Sequence, residues 1–288
     1  MKRSSTLRKV LLLLAAVLLA IAVWVAVSLI TLPSVAPLAD PRMSMVIVVK
    51  DWQKRGHKFV VGPRNPRWAP YGAIPPALKK AVVAAEDAHF YAHEGVDYEA
   101  MRDAIRTDLE RGRFARGGST ITQQLAKNLF LSREKTLTRK GKEIVLAWRM
   151  EDALTKRRIL ELYLNVVELG PMVYGIGHAS QYYFGKSVSA LTVRECAFLA
   201  SMLPGPKMYN PYRKMDRVLR RSDRILRRMV AARMISREEY EGAMAEVPNL
   251  AGLERKVEKT LAAPLPEERS PADPERTGPW QEGDSPPE

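Results

Sequence analysis

Glu86 lies in AVVAAEDAHFYAHEG, where helical spacing would put Phe90 at i+4 and His93 at i+7 on its face, with Val82, Ala84 and Ala85 as apolar surroundings. Burial among such neighbours raises a carboxyl pKa, which suits the group to taking a proton from an alcohol. Alone, the residue reads at least as well as a surface ion-pair partner of Lys79 or Lys80. His89 and His93 stand four apart, as a metal pair would. The zinc peptidase pattern requires Glu directly after the first His, and Phe90 is there instead, so packing or hydrogen bonding suits these histidines better.

A second stretch, GGSTITQQLAKNLF at 117–130, opens with two glycines and Ser119, a natural N-cap. Thr120, Gln124 and Lys127 follow at i, i+4 and i+7, while Ile121, Leu125 and Leu129 line another face. Amides and a cation beside a helix start would suit an anionic, hydroxyl-rich ligand such as a sugar phosphate; an ordinary capped amphipathic helix is the alternative. In REKTLTRKGKEIVLAWRMED at 133–152, Arg139 and Lys140 precede Glu143 by four and three residues, with Arg133, Lys135 and Lys142 nearby. Helix pairing would account for some of these charges, but five cations exceed what one acid needs, and a diphosphate would use the surplus. Gly185-Lys186-Ser187 is no phosphate-binding loop, since Ser180 stands where its first glycine belongs, and Ser132-x-x-Lys135 lacks any downstream Lys-Thr-Gly.

The elements that must hold these groups are mainly helical from Ala77 to about Val247. Pro75 and Pro76 open one helix, Asp97 another, and capping boxes stand at Thr192 with Glu195 and Ser236 with Glu239. No strand and helix alternation appears, which excludes a parallel sheet. Residues 43–62, with MVIVV and KFVV around DWQKRGHK, read as two short strands, followed by a Pro-rich loop. Val10 to Leu32 carries no charge and is long enough to cross a bilayer of about 30 Å. Four basic residues precede it, so the N-terminus stays cytoplasmic and the remainder is exported. Such a run exceeds the usual signal-peptide core, although Ser34-Val35-Ala36 is a passable cleavage site.

The 288 residues carry a net charge of +14, unevenly spread: residues 1–9 hold +4 and residues 262–288 hold −5, leaving +15 on residues 33–261. An apolar content of 46% excludes a disordered polyelectrolyte, and the single cysteine, Cys196 in CAFLASML, excludes disulfide or zinc-cluster chemistry within the chain. Seven prolines and an acidic balance mark the last stretch as a disordered tail.

EDAHFYAHEG at 86–95, GGSTITQQLAKNLF at 117–130, RKGKE at 139–143 and KRRILELYLN at 156–165, in this order, are similar to the family 51 glycosyltransferases, the peptidoglycan glycosyltransferases. The likeness runs from Tyr71 to Pro211, and with an N-terminal anchor and no transpeptidase module the chain resembles the monofunctional biosynthetic transglycosylases. The resemblance implies an all-α, lysozyme-like glycosyltransferase domain with a small extended/β segment ahead of it and one N-terminal transmembrane helix. The expected divisions are 1–9 cytoplasmic, 10–32 transmembrane, 33–70 linker, 71–250 glycosyltransferase domain and 251–288 acidic tail.

By that resemblance Glu86 matches the catalytic base acting on the 4-hydroxyl of an acceptor lipid II sugar, and Glu143 the second essential acid, beside the donor diphosphate. Gln123, Gln124 and Lys127 match the donor-side lining, and Lys135, Arg139, Lys140 and Lys142 the cationic group. Lys135 stands where the family commonly has Arg, keeping charge but losing the bidentate fork. Gly177 and His178 replace a usual Glu-Ala. The resemblance further implies a divalent metal such as magnesium, lipid II and lipid-linked glycan strands as substrates, and other cell-wall synthesis or division proteins as partners. It also implies single-pass residence in the bacterial inner membrane with the domain on the periplasmic side. Two carboxylates would also serve a lysozyme-like glycan-cleaving enzyme, but a neutral glycan offers no diphosphate for the cations to meet. A membrane-tethered basic binding protein is suggested by RKMDRVLRRSDRILRRMVAARM at 213–234. Export argues against nucleic acid as its partner, and that helix is expected to turn its arginines to solvent or anionic lipid.

Overall fold

No Gly or Pro interrupts Lys2–Ile30, and in the computed structural model, which describes residues 2–51, 53–110, 118–132, 136–203, 205 and 209–251, this stretch is one continuous helix, α1. Its Leu11–Ile30 portion has a mean hydropathy of 2.9, buries none of that apolar stretch, is long enough to cross a membrane, and meets the rest of the molecule only at its last turn, against α5 (Leu137–Ala153), among the described residues. The helix stops two residues short of the expected Leu32, because Pro33 disfavours helical backbone at the residue before it.

The two expected strands pair as an antiparallel hairpin, β1 (Met45–Lys50) with β2 (Gly56–Val61), registered Met45 to Val61 and Lys50 to Gly56. Residues 33–70 do more than link. Val35, Leu38, Val61 and Ala69 are buried in the same core as the helices, because α6 (Lys156–Val166) fastens this segment along one face. Arg158 donates from Nε to Leu38 O at 2.8 Å and from Nη2 to Asp40 O at 3.1 Å. Glu161 Oε1 accepts from Tyr71 N–H at 3.1 Å, and the Asn165 amide closes on both backbone groups of Ala69 at 2.8 Å each. The spacing i, i+3, i+7 puts these three side chains on one helical stripe, so the KRRILELYLN motif acts as scaffold.

Pro76 at the first position opens α2 (Pro76–Glu86), and Asp97 Oδ1 accepts from Ala100 N–H at 2.8 Å to open α3 (Tyr98–Glu110). α4 (Ile121–Phe130) packs against α5 (Leu137–Ala153) and α6, while α2 packs against α8 (Val193–Ser201) and α9 (Pro211–Ala231). Capping boxes close at Thr192 with Glu195 before α8 and at Ser236 with Glu239 before α10 (Arg237–Ala245). Between α6 and α7 (Ile176–Phe184) lies a second, smaller antiparallel pair, β3 (Glu168–Gly170) with β4 (Val173–Tyr174), absent from the sequence reading because two and three residues give no periodicity. The mostly helical architecture with two small antiparallel hairpins agrees with the expected fold class. The expected tail, apart from Ala251, lies outside the described residues.

Candidate functional site

Glu86 ends α2, where that helix meets α4 and α9, and its side chain is 10% exposed. Gln124 of α4 donates from Nε2 to Glu86 Oε2 at 3.1 Å, and Arg221 of α9 reaches Oε1 with Nη2 at 3.3 Å. Tyr163, fully buried on α6, donates its hydroxyl to Gln124 Oε1 at 3.1 Å, which fixes the amide so that its NH₂ faces the carboxylate. Burial holds the Glu86 carboxyl above the usual range, with Gln124, Arg221 and Lys127 pulling the other way. Burial first, then the Glu86 and Asp87 charges, push the Tyr163 phenol well above its ordinary value, so it stays a donor. The arrangement is a largely desolvated carboxylate held in one orientation by two donors, as suits a general base.

Glu143 is buried on α5, and its two oxygens pair with Arg139 and with Lys140 Nζ, the latter at 3.1 Å. Lys140 also donates to Ser119 Oγ at 2.9 Å and to Gln123 Oε1 at 3.3 Å. Burial, together with the positive Arg139 and Lys127 nearby, pushes the Lys140 ammonium down to about 8. Lys142 is half-buried on the same helix, and Lys135 lies outside the described residues.

Helix α4 joins these two centres. Its residues 123 and 124 are adjacent, yet Gln124 turns to Glu86 and Gln123 to Lys140, while the Lys127 charge acts on both Glu86 and Lys140. The start of α4 is set from a distance. Asp87 Oδ2 accepts from Ile121 N–H at 2.9 Å, and Asp87 is itself held by His93 Nε2 at 2.9 Å. Consequently Thr120 is the N-cap, in place of the expected Ser119, and forms a capping box with Gln123. Gln123 is therefore a buried part of the helix start as well as a Lys140 acceptor, with its Nε2 left without a protein partner among the described residues. His89 pairs with Asp97 at 2.9 Å, so the two histidines serve separate carboxylates.

Arg221 escaped the sequence reading, which turned the arginines of 213–234 outward. Val218, Ser222, Ile225, Leu226 and Met229 form the buried stripe of α9, and Arg221 and Arg228 fall on that stripe by i+3 and i+4 spacing. Arg228 approaches Ala84 O at 3.5 Å, and the Arg221 guanidinium also lies 5.2 Å from the centre of the Tyr209 ring. A cation on an apolar stripe was the available signal. Gly177 is explained as well: a Cβ there would overlap the Arg67 carbonyl oxygen, so this chain cannot carry a side chain at that position.

The sequence model of the family described as Transglycosylase matches residues 54–230. The protein named biosynthetic peptidoglycan transglycosylase from Nitrosospira multiformis is 45% identical over 170 residues, 59% of this chain and 72% of that one. Its namesake from Cupriavidus metallidurans is 44% identical over 173 residues, 60% of this chain and 74% of that one. Penicillin-binding protein 1A of Escherichia coli is 41% identical over 219 residues, which are 76% of this chain but 26% of that protein.

Proposed function

The chain belongs to the Transglycosylase family and is a peptidoglycan glycosyltransferase, and from that premise we propose that it polymerises lipid II with Glu86 as the base and Glu143 at the centre of the diphosphate site. The acceptor's 4-hydroxyl oxygen attacks the anomeric carbon of the donor while its proton passes to Glu86. The anomeric C–O bond breaks toward the diphosphate, which leaves on its prenyl carrier, and the new β-1,4 bond has inverted configuration. An alcohol is a weak nucleophile, and a positioned base contributes about 10² to 10⁴ in rate. The leaving diphosphate gains charge, which Lys127, Arg139 and Lys140 oppose from α4 and α5. Glu143 holds Arg139 and Lys140 in place, so their charge is already oriented before the bond breaks.

The buried carboxylate of Glu86, gripped by Gln124 and Arg221 beside that cationic pocket, is the observation that carries the reading. A resident metal fits the chain's residues poorly: among the described residues no three His, Cys, Asp or Glu side chains converge to hold one, and both candidate acids are occupied by cations. A divalent ion would have to be held largely by the diphosphate's own oxygens, adding charge neutralisation when bound.

Both substrates carry long prenyl tails, and the span Leu11–Ile30 supports residence in the inner membrane with the domain on the outer side. Incubation of the purified protein with fluorescent lipid II tests the proposal. Glu86→Gln is expected to yield no polymer with unchanged folding, and normal turnover by that variant would remove Glu86 as the base.

A further inference from the structure

The carboxyl end of a helix leaves its last carbonyls without intrahelical partners, and α1 ends with no basic residue in its last turn and no glycine after it. Thr31 Oγ1 donates to Val27 O at 2.8 Å and Leu32 N–H reaches Leu29 O at 3.4 Å, and the remaining donors come from another element. Arg149 of α5 donates from Nη2 to Leu29 O at 3.2 Å and from Nη1 to Leu32 O at 3.5 Å. A guanidinium fork can serve two separated acceptors at once, which a single ammonium does less well. Beyond Leu32 the chain has little slack: Val35 and Leu38 are buried, and Arg158 holds the carbonyls of Leu38 and Asp40. The membrane helix is thus tied to the domain at its last turn, and again within ten residues.

We propose that Arg149 is a positioning residue that locks the membrane helix to α5 at one angle and thereby sets the height of the cationic site above the bilayer. The inference rests on the reading that Glu143, Arg139 and Lys140 receive a lipid-linked diphosphate. Ile30 closes an apolar stretch that matches the hydrocarbon thickness, so Arg149 sits near the hydrocarbon edge. Glu143 is six residues back along α5, about 9 Å at 1.5 Å per residue. Whatever the tilt of α5, the two backbone positions then differ in depth by no more than about that distance, the order of the polar layer in which lipid phosphates lie, about 5 to 8 Å on each side of the hydrocarbon. A substrate confined to the bilayer presents its diphosphate at one depth, and a domain free to tilt would meet it in the productive pose only part of the time.

The test compares the full chain in lipid vesicles and in detergent micelles. Arg149→Met keeps the stem but removes both donors. It is expected to lose about tenfold in kcat/KM on lipid II in vesicles, and to turn over normally in micelles, where curvature releases the orientation. Arg149→Lys should recover part of the loss. Spin labels at Ile30→Cys and Trp148→Cys, both exposed positions, give a readout that needs no activity; the buried Cys196 does not compete for label. A narrow distance distribution that broadens with Arg149→Met supports the lock. Unchanged turnover in vesicles, equal loss in both media, or an unbroadened distribution overturns it. If the unsubstituted protein polymerises nothing in either medium, the functional reading falls, and the label distances alone decide whether Arg149 locks the helix.

Discussion

Glu86 keeps its proton to higher pH than an exposed glutamate because burial penalises the carboxylate more than Gln124, Arg221 and Lys127 favour it. A base must be ionised to act, so kcat/KM should fall as pH drops through this raised value. Arg221→Met removes a favourable charge and should move the acidic limb of the pH profile further up. At the other end, the Lys140 ammonium titrates at about 8, and its charge is lost as pH rises past that point. Lys140→Arg should carry the alkaline limb beyond the measurable range; a limb that stays put assigns it to another group. Stability follows the same sign. With its folded pKa above the unfolded one, Glu86 stabilises only when protonated, and that contribution is lost as pH rises through the folded value. Glu86→Gln should therefore melt no lower than the parent at neutral pH, by calorimetry.

Helix boundaries were legible wherever the signal was local. Pro76, Asp97, Thr192 with Glu195 and Ser236 with Glu239 each act on neighbouring backbone, and all four open helices as the residue types require. At α4 two hydroxyls stand side by side, Ser119 and Thr120, and the choice between them fell to Asp87, more than thirty residues away. Ser119 was freed to bind Lys140. Long-range contact likewise explains Gly177, where the first turn of α7 presses on the Arg67 carbonyl. Gly177→Ala should cost about 2 kcal/mol or more, by overpacking against backbone that cannot yield. Equilibrium unfolding measures it, and a loss below about 0.5 kcal/mol, within the range of an ordinary surface change, would mean that the loop at Arg67 moves aside.

Across the whole molecule, residues 33–261 carry +15, and the lipid II on which this family acts is anionic. Attraction of this kind is screened as the Debye length falls from about 10 Å at 0.1 M salt to about 3 Å at 1 M. In vesicles containing anionic lipid, KM for lipid II should therefore rise with salt while kcat holds. In vesicles of neutral lipid the rise should be smaller. An equal rise in both would confine the effect to the substrate's own diphosphate. Segment 33–70 also belongs to this scale: read as a linker, it is fastened to the core through Arg158, Glu161 and Asn165, whose partners lie 90 to 120 residues away in sequence.

Composition, helical period and cap chemistry determined the membrane-length helix and the helical class, because each is written in residues within a turn or two of one another, while the two acidic centres were singled out by the resemblance of four ordered motifs. Which face α9 turns inward, which hydroxyl caps α4, and what fastens the end of α1 were decided by packing. In each case an arginine or carboxylate from a distant helix met a backbone or side-chain group that no local pattern names. Arg221 on Glu86, Asp87 on Ile121 and Arg149 on Leu29 are buried or part-buried contacts whose partners become neighbours only when the helices pack.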